Sequence, residues 1–255
     1  METGTGCNGT GLLTCSRTER GAREKNEDAC GIFPIRSPSG PLCLLAVADG
    51  LGGHPAGEVA SALAVRALAQ SVSHGALSCD PRDNQSLRAI LAAGFSHANA
   101  TVCRYQREDP ACRGMGTTLV AALLAQGGMG VCGNIGDSRA YLVGKAITRI
   151  TRDHSEVQEL VDRGIIPVEI AERHPLKNIV TRIIGRMEDT PDFYSFTLGE
   201  DCLLLCSDGL LDGISERQIH EAVSTAPFRD LCRVLVEAAR GRSRDNITVV
   251  AARLP

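Results

Sequence analysis

Short apolar runs alternate along the chain with longer segments that have helical periodicity. Four of the short runs are typical of buried strands, and each has an aspartate near one end beside Gly, Ser or Asn. The runs are 42–48 before Asp49, 129–135 before Asp137, 203–206 before Asp208, and 247–251 after Asp245. Because a strand leaves the core at its end, this pattern predicts four carboxylates at the border of one or more sheets.

The longer segments predict helices. They lie at 56–70, 86–106 and 228–240. In the second, apolar residues such as Leu87 and Leu91 recur at steps of three and four, which places them on one helix face. Residues 155–174 predict a short helix, a break at Gly164 and a second helix that begins near Pro167.

The order of these elements favours an α+β fold. Strands come first, then two helices, several strands, a helical insert, more strands, and a closing helix and strand. Strands that follow one another closely favour antiparallel pairing over a doubly wound parallel sheet, and two packed sheets flanked by helices would fit. We find no repeat and no low-complexity linker, so we expect a single domain over residues 1–255, with a loosely ordered N-terminus over residues 1–12.

Composition and charge narrow the class of protein. Hydrophobic residues make up 43% of the chain, enough for a sizeable core, and the absence of Trp means that aliphatic side chains must build it. The formal net charge is −3 without a long run of either sign, which gives no reason to expect a nucleic-acid or membrane-surface partner. The apolar runs are too short to span a membrane and no signal-peptide pattern is present. We therefore expect a soluble, cytoplasmic protein.

Eleven cysteines are scattered along the chain, several of them inside apolar runs. A disulfide framework or a zinc site would show clustered pairs at fixed spacings. The pattern instead predicts reduced thiols that serve as small core residues.

The four aspartates have two interpretations. Each of them is adjacent to turn-forming residues, so each suits an ordinary turn or helix N-cap. Alternatively they converge, and since close carboxylates cannot all stay ionised without a cation between them, they would bind a divalent metal ion. All-oxygen ligands suit Mg²⁺ or Mn²⁺. The spacing alone does not decide between the two.

Eight motifs in chain order resemble those of the PPM/PP2C-type metal-dependent protein serine/threonine phosphatases, in their compact bacterial form. They are REKNEDA at 23–29, VADGLGGHPAGEVAS at 47–61, GMGTT at 114–118, GNIGDSRAY at 133–141, TRDHS at 151–155, HPLKNIVTRIIG at 174–185, LLLCSDGLLD at 203–212 and SRDNITV at 243–249. The resemblance covers about residues 14–254. It implies a β-sandwich of two antiparallel sheets with helices on both sides, an α-β-β-α arrangement.

The resemblance also implies a metal centre. Asp49 would bridge two Mn²⁺ or Mg²⁺ ions, the Gly50 carbonyl would bind one of them, and Asp208 and Asp245 would complete the other. Asp137 matches the family's ligand for a third, weaker ion. Water activated by two such ions attacks phosphorus directly, so no phosphoenzyme is required and the cysteines have no catalytic part.

Further roles follow from the same resemblance. Arg23 matches the arginine that clamps the substrate phosphate, and Glu27 and Asp28 match acidic positions that orient water around the metals. The proton donor for the leaving group is either His54 or water. Asn178 lies beside a variable flap, residues 155–175, and is expected near the third metal.

The function implied is hydrolysis of phosphoserine and phosphothreonine in proteins, reversing a bacterial Ser/Thr kinase. Phosphoproteins, a cognate kinase and a forkhead-associated protein are the expected partners, and the chain is expected to act as a monomer. Two alternatives stay open: a catalytically silent regulator of the same fold that binds phosphoproteins, and a hydrolase of small phosphoesters.

Overall fold

In the computed structural model, residues 2–8, 10–51, 56–171 and 174–255 are described. The strands are β1 (Glu2–Asn8), β2 (Leu12–Glu19), β3 (Asp28–Ile35), β4 (Leu42–Asp49), β5 (Leu119–Ala125), β6 (Met129–Ile135), β7 (Arg139–Val143), β8 (Ile147–Arg149), β9 (Asp192–Thr197), β10 (Cys202–Cys206) and β11 (Ile247–Arg253). The helices are α1 (Gly57–Gly75), α2 (Asn84–Glu108), α3 (Glu156–Asp162), α4 (Val168–Ala171), α5 (Asp208–Gly213), α6 (Glu216–Thr225) and α7 (Phe228–Ala239).

The strands form two sheets. One contains six strands in the order β1-β2-β11-β10-β7-β8, and the other five in the order β3-β4-β5-β6-β9. Neighbouring strands pair antiparallel throughout both sheets. The predicted α+β class, with two antiparallel sheets, is therefore confirmed.

Three apolar layers hold the sandwich together. The middle layer lies between the sheets and joins residues such as Leu45 of β4 to Leu203 of β10. Helices α1 and α2 pack on the outer face of the five-stranded sheet, and α5, α6 and α7 pack on the outer face of the six-stranded one. The order across the molecule is helix, sheet, sheet, helix, as the resemblance implied.

Strand β4 shows why its sequence is apolar without alternation. Successive side chains of a strand point to opposite faces. Leu44 and Ala46 face the helices, whereas Leu45 and Val47 face the other sheet. Because both faces are covered, residues 42–48 are all fully buried.

Two parts of the fold differ from the sequence-based expectation. Residues 1–12 were expected to be loosely ordered, but Glu2–Asn8 forms strand β1, which pairs with β2 and covers what would otherwise be an unpaired sheet edge. Helices α5 and α6 were not predicted. The six residues of α5 are too few to show a period, although α6 carries a capping box from Ser215 to Gln218 that signals its start.

The expectations for residues 155–174 and for the cysteines agree with the structure. The flap contains α3 and α4, with Gly164 between them at a φ of +68°. Nine of the ten described cysteines are buried and all ten are free thiols, as expected of core residues. None of the described helices is both long and apolar enough to cross a membrane.

A substitution at Gly133 would test how tightly α2 packs against the five-stranded sheet. A Cβ atom at this position would lie 2.6 Å from Cε2 of Phe95 and 2.9 Å from Cε1 of Phe193. The two rings pack edge to face with centroids 5.6 Å apart, so neither moves freely. We expect Gly133→Ala to lower the free energy of unfolding by about 1–3 kcal/mol, measured by urea denaturation. Adding Phe193→Ala to it should cost less than the sum of the two single changes, whereas strict additivity would contradict the clash.

Candidate active site

The four aspartates lie together at one border of the sandwich. The Asp49 and Asp208 carboxyl groups lie close enough to shift each other's pKa, although one ends β4 and the other begins α5. Asp137 interacts electrostatically with both of them. Asp245 lies next to Asp208 as well, because a Cβ atom at Gly209 would be only 3.3 Å from the Asp245 Cβ. Four carboxylates from distant parts of the sequence therefore share one site.

Asp28 joins this group through strand pairing. It lies opposite Asp49 in the β3–β4 register, and Ser207 Oγ donates a hydrogen bond of 2.9 Å to its Oδ2. Glu27 is fixed beside it, because its N–H donates to Asn246 Oδ1 over 2.8 Å. Glu27 and Asp28 therefore lie beside the aspartate cluster.

Burial and mutual repulsion raise the pKa values of these carboxyl groups. Burial raises the pKa of Asp28 to about 7 and that of Asp208 to about 6, with neighbouring aspartates adding to both shifts. The pKa values of Asp49 and Asp137 rise well above their ordinary range, again through burial first and nearby carboxylates second. Burial and mutual repulsion therefore favour the protonated forms of these carboxyl groups, relative to an isolated aspartate.

The donor set fits small dications. Asp28 Oδ1 and Asp208 Oδ1 are buried without a hydrogen-bond partner in the structure, and an orphaned carboxylate oxygen suits a cation. In the described residues, no group of three or more carboxyl, imidazole or thiol side chains is arranged to hold a metal ion. Mg²⁺ usually takes only one or two protein carboxylates and keeps several waters.

Gly50 follows Asp49 at a point where two backbone segments meet. A Cβ atom here would lie 2.4 Å from the Gly57 carbonyl oxygen and 2.7 Å from that of Glu27. Its N–H donates to the Glu27 carbonyl over 3.1 Å. Only glycine fits, and the backbone of this loop is thereby held against the residues beside the aspartates.

Arg23 contacts the cluster from the solvent side. Its Nη2 donates to Asp245 Oδ2 over 2.6 Å, and 46% of its side chain is exposed. A guanidinium has five N–H donors, so the bond to Asp245 leaves others free for an anionic ligand. The structure thus places the predicted phosphate-binding arginine beside the predicted metal ligands.

A cavity of about 460 Å³ opens next to the aspartates. Its lining includes Asp137 and Asp208, and also Val157, Lys177 and Asn178 from the flap and the segment that follows it. Asn178 and Asp137 therefore border the same space. Lys177 also anchors this segment, because its Nζ donates to Asp212 Oδ1 over 2.6 Å.

His54, the candidate proton donor, lies outside the described residues. Glu58 lies in the first turn of α1 and pairs with Lys25 at 2.8 Å.

A network of polar side chains behind Asp137 was not predicted from the sequence. Arg139 binds both carboxylate oxygens of Asp153, with Nε at 3.0 Å from each and Nη2 at 2.7 Å from Oδ2. The next residue, His154, bonds to Gly136, which directly precedes Asp137. These residues belong to the motifs at 133–141 and 151–155, and that co-occurrence was the available signal.

Comparison with known proteins places the chain in a family. The model of the protein phosphatase 2C family matches residues 16–247. The serine/threonine protein phosphatase PstP of Mycobacterium tuberculosis is 39% identical over 248 residues, which cover 94% of this chain and 45% of that protein. This chain thus spans about half the length of that relative.

A second relative matches nearly end to end. The serine/threonine phosphatase stp of Listeria monocytogenes is 37% identical over 241 residues, 92% of each chain. Among solved structures, the catalytic domain of PstP in complex with two manganese ions superposes with a TM-score of 0.78 at 37% identity, covering 95% of this chain and 97% of that one. The chain therefore belongs to the protein phosphatase 2C family.

Proposed function

We propose that this protein hydrolyses phosphoserine and phosphothreonine in other proteins, with two Mn²⁺ or Mg²⁺ ions held by the aspartate cluster. The observation that carries the proposal is the convergence of Asp49, Asp208 and Asp245, with a buried Asp208 oxygen that lacks a partner in the structure. The relatives named as serine/threonine phosphatases support the substrate class.

Asp49, the Gly50 carbonyl, Asp208 and Asp245 would hold the two ions. Asp137, with Asp208, would hold a third and weaker ion. The ions would supply positive charge to carboxyl groups whose pKa values are raised by burial and by one another.

The chain's own groups then carry out three tasks. When bound, two such ions lower the pKa of water at the site and neutralise phosphoryl oxygens. Arg23 holds the phosphate through two parallel N–H bonds, a geometry that an ammonium group lacks. Glu27 and Asp28 accept hydrogen bonds from water and orient it. The leaving alkoxide takes its proton from His54 or from water.

The surroundings of the site favour a protein substrate over a small phosphoester. The cavity beside the aspartates is bordered by the flap, whose side chains Ile165, Val168 and Ile170 are 61%, 60% and 47% exposed. Exposed apolar side chains beside an open cavity suit a peptide segment that crosses the site. The reaction reverses that of a Ser/Thr kinase, and a forkhead-associated protein is a further proposed partner.

Loss of a core ligand tests the function directly. We expect Asp208→Asn to lower the rate of p-nitrophenyl phosphate hydrolysis with Mn²⁺ by more than about 100-fold, because a metal carboxylate is lost. EDTA should abolish the wild-type rate.

Asp230→Asn, at a half-buried position in the first turn of α7, is the matched control and should keep full activity. Phosphatase activity that survives both EDTA and Asp208→Asn would refute the proposal, and faster turnover of small phosphoesters than of phosphopeptides would refute the substrate class.

Substitution of Arg23 separates phosphate binding from metal binding. Arg23→Lys keeps the charge but loses the two-pronged donor geometry. We expect kcat/KM for a phosphopeptide to fall by about 10-fold to 100-fold, since a charge-assisted bond contributes about 1.5–3 kcal/mol. Mn²⁺ affinity measured by calorimetry should stay near the wild-type value. An unchanged kcat/KM would show that Arg23 does not bind the phosphate.

The raised pKa of Asp208 predicts a pH-dependent response to metal. An unfolded aspartate has a pKa of about 3.9, whereas burial in the folded protein raises the pKa of Asp208 to about 6. Its contribution to stability is therefore full below about pH 4 and is lost as the pH rises through about 6.

Mn²⁺ competes with the proton for this group, so its effect on stability should grow with pH. We expect Mn²⁺ to raise the Tm more at about pH 7.5 than at about pH 5.5, measured by differential scanning calorimetry. Asp208→Asn should reduce the difference between the two pH values. An equal rise in the wild-type protein at both pH values would argue against displacement of protons by metal.

A further inference from the structure

His154 is held against the residue that precedes Asp137. Its ring is nearly buried, with 5% of the side chain exposed. The Gly136 N–H donates to His154 Nδ1 over 3.2 Å, and the His154 N–H donates back to the Gly136 carbonyl over 2.9 Å. One residue thus holds both polar groups of the Gly136 backbone.

The bond to Gly136 fixes the tautomer of the ring. A nitrogen that accepts from a backbone N–H carries no proton, so the neutral ring has its proton on Nε2. That nitrogen lies 3.0 Å from Asp192 Oδ2, to which it donates. Arg182 Nη1 lies 3.6 Å from Asp192 Oδ1 and pairs with it. Its separation of 3.4 Å from Nε2 is then a contact between two donors, and Asp192 is the acceptor for both.

Gly136 needs this support because its backbone is unusual. Its φ is +107°, and a Cβ atom would lie 2.6 Å from the Thr118 Cβ. Asn134 Nδ2 adds a bond of 3.2 Å to the same carbonyl oxygen. The direction in which Asp137 leaves β6 is set at this turn.

His154 also lies at the base of the flap. Its carbonyl accepts from the Thr181 N–H over 2.9 Å, and the next residue, Ser155, pairs with Val180. The two ends of the flap therefore meet at a residue that is bonded to the Asp137 turn. A shift of His154 would therefore alter both the base of the flap and the Asp137 turn.

We infer that His154 is a positioning residue, whose Nε2–H tautomer sets the Gly136–Asp137 turn and thereby the affinity of the third metal ion. The inference rests on the proposed function in so far as Asp137 binds that ion. The tautomer of His154 and the conformation of the Gly136–Asp137 turn do not depend on metal. Through its bonds at both places, His154 also links the flap to the metal centre.

The structural part can be tested on the metal-free wild-type protein. In ¹⁵N-labelled protein, long-range ¹H–¹⁵N spectra report which ring nitrogen of His154 carries the proton. We expect the Nε2–H tautomer, together with slow exchange of the Gly136 amide proton. An Nδ1–H tautomer, or an unprotected Gly136 amide, would overturn the inference even if the protein is an active phosphatase.

Two variants separate the ring nitrogens. His154→Asn keeps an acceptor near the place of Nδ1, whereas His154→Gln keeps a donor near the place of Nε2 and loses the acceptor. We expect His154→Gln to weaken the lowest-affinity Mn²⁺ site by about 10-fold to 100-fold, as counted by electron paramagnetic resonance of free Mn²⁺. His154→Asn should restore most of that affinity.

The outcomes are distinct. Equal loss in both variants, with folding intact, would show that the ring acts only by filling space and would overturn the inference, as would an unchanged weak site in His154→Gln. If the wild-type protein binds no Mn²⁺ at all, the proposed function fails, and the spectra of the metal-free protein still decide the role of His154. Those spectra also decide it if neither variant folds.

Discussion

The constraint on which the site depends is the repulsion among carboxyl groups that the fold brings together. Asp49, Asp137, Asp208 and Asp28 each have a raised pKa, with burial as the main cause and the neighbouring carboxylates as a further one. A fold selected for stability alone would keep such groups apart. The two-sheet core must therefore supply enough apolar burial to offset them, and the fully buried runs of β4, β5 and β10 do so.

The sandwich brings these groups together by strand pairing. The β3–β4 register sets Asp28 opposite Asp49, and the β10–β11 pair brings Asp208 next to Asp245. The close approach of these backbones leaves room only for glycine at Gly50 and Gly209, where a Cβ atom would lie 2.4 Å and 1.9 Å from a carbonyl oxygen. The site is thus a consequence of how the sheets end, and it needs no long catalytic loop.

The strands and the aspartates at their ends could be predicted from the sequence, but the contacts that support these aspartates could not. A buried strand appears in the sequence as a short apolar run, and the aspartate at its end lies close to that run. The Arg23–Asp245 bond, by contrast, joins residues 222 apart and has no local signal; only the family resemblance suggested a role for Arg23. Helix α5 was missed because its six residues begin at Asp208 itself, so its start coincides with the site. The network of Arg139, Asp153 and His154 was missed since its partners become neighbours only after folding.

Charge also constrains the order of events at this site. Arg139 is neutralised by Asp153 in a nearly buried pair, so its charge is of little help to the aspartates in front of it. Arg23 is already bonded to Asp245, and Lys177, whose charge acts on Asp208, is bonded to Asp212. A phosphate dianion that approached the bare cluster would meet an excess of negative charge at short range, where repulsion is strong. On the proposed function, divalent cations would therefore bind before the substrate, and they would compete with protons for Asp49 and Asp137, whose pKa values burial raises well above their ordinary range.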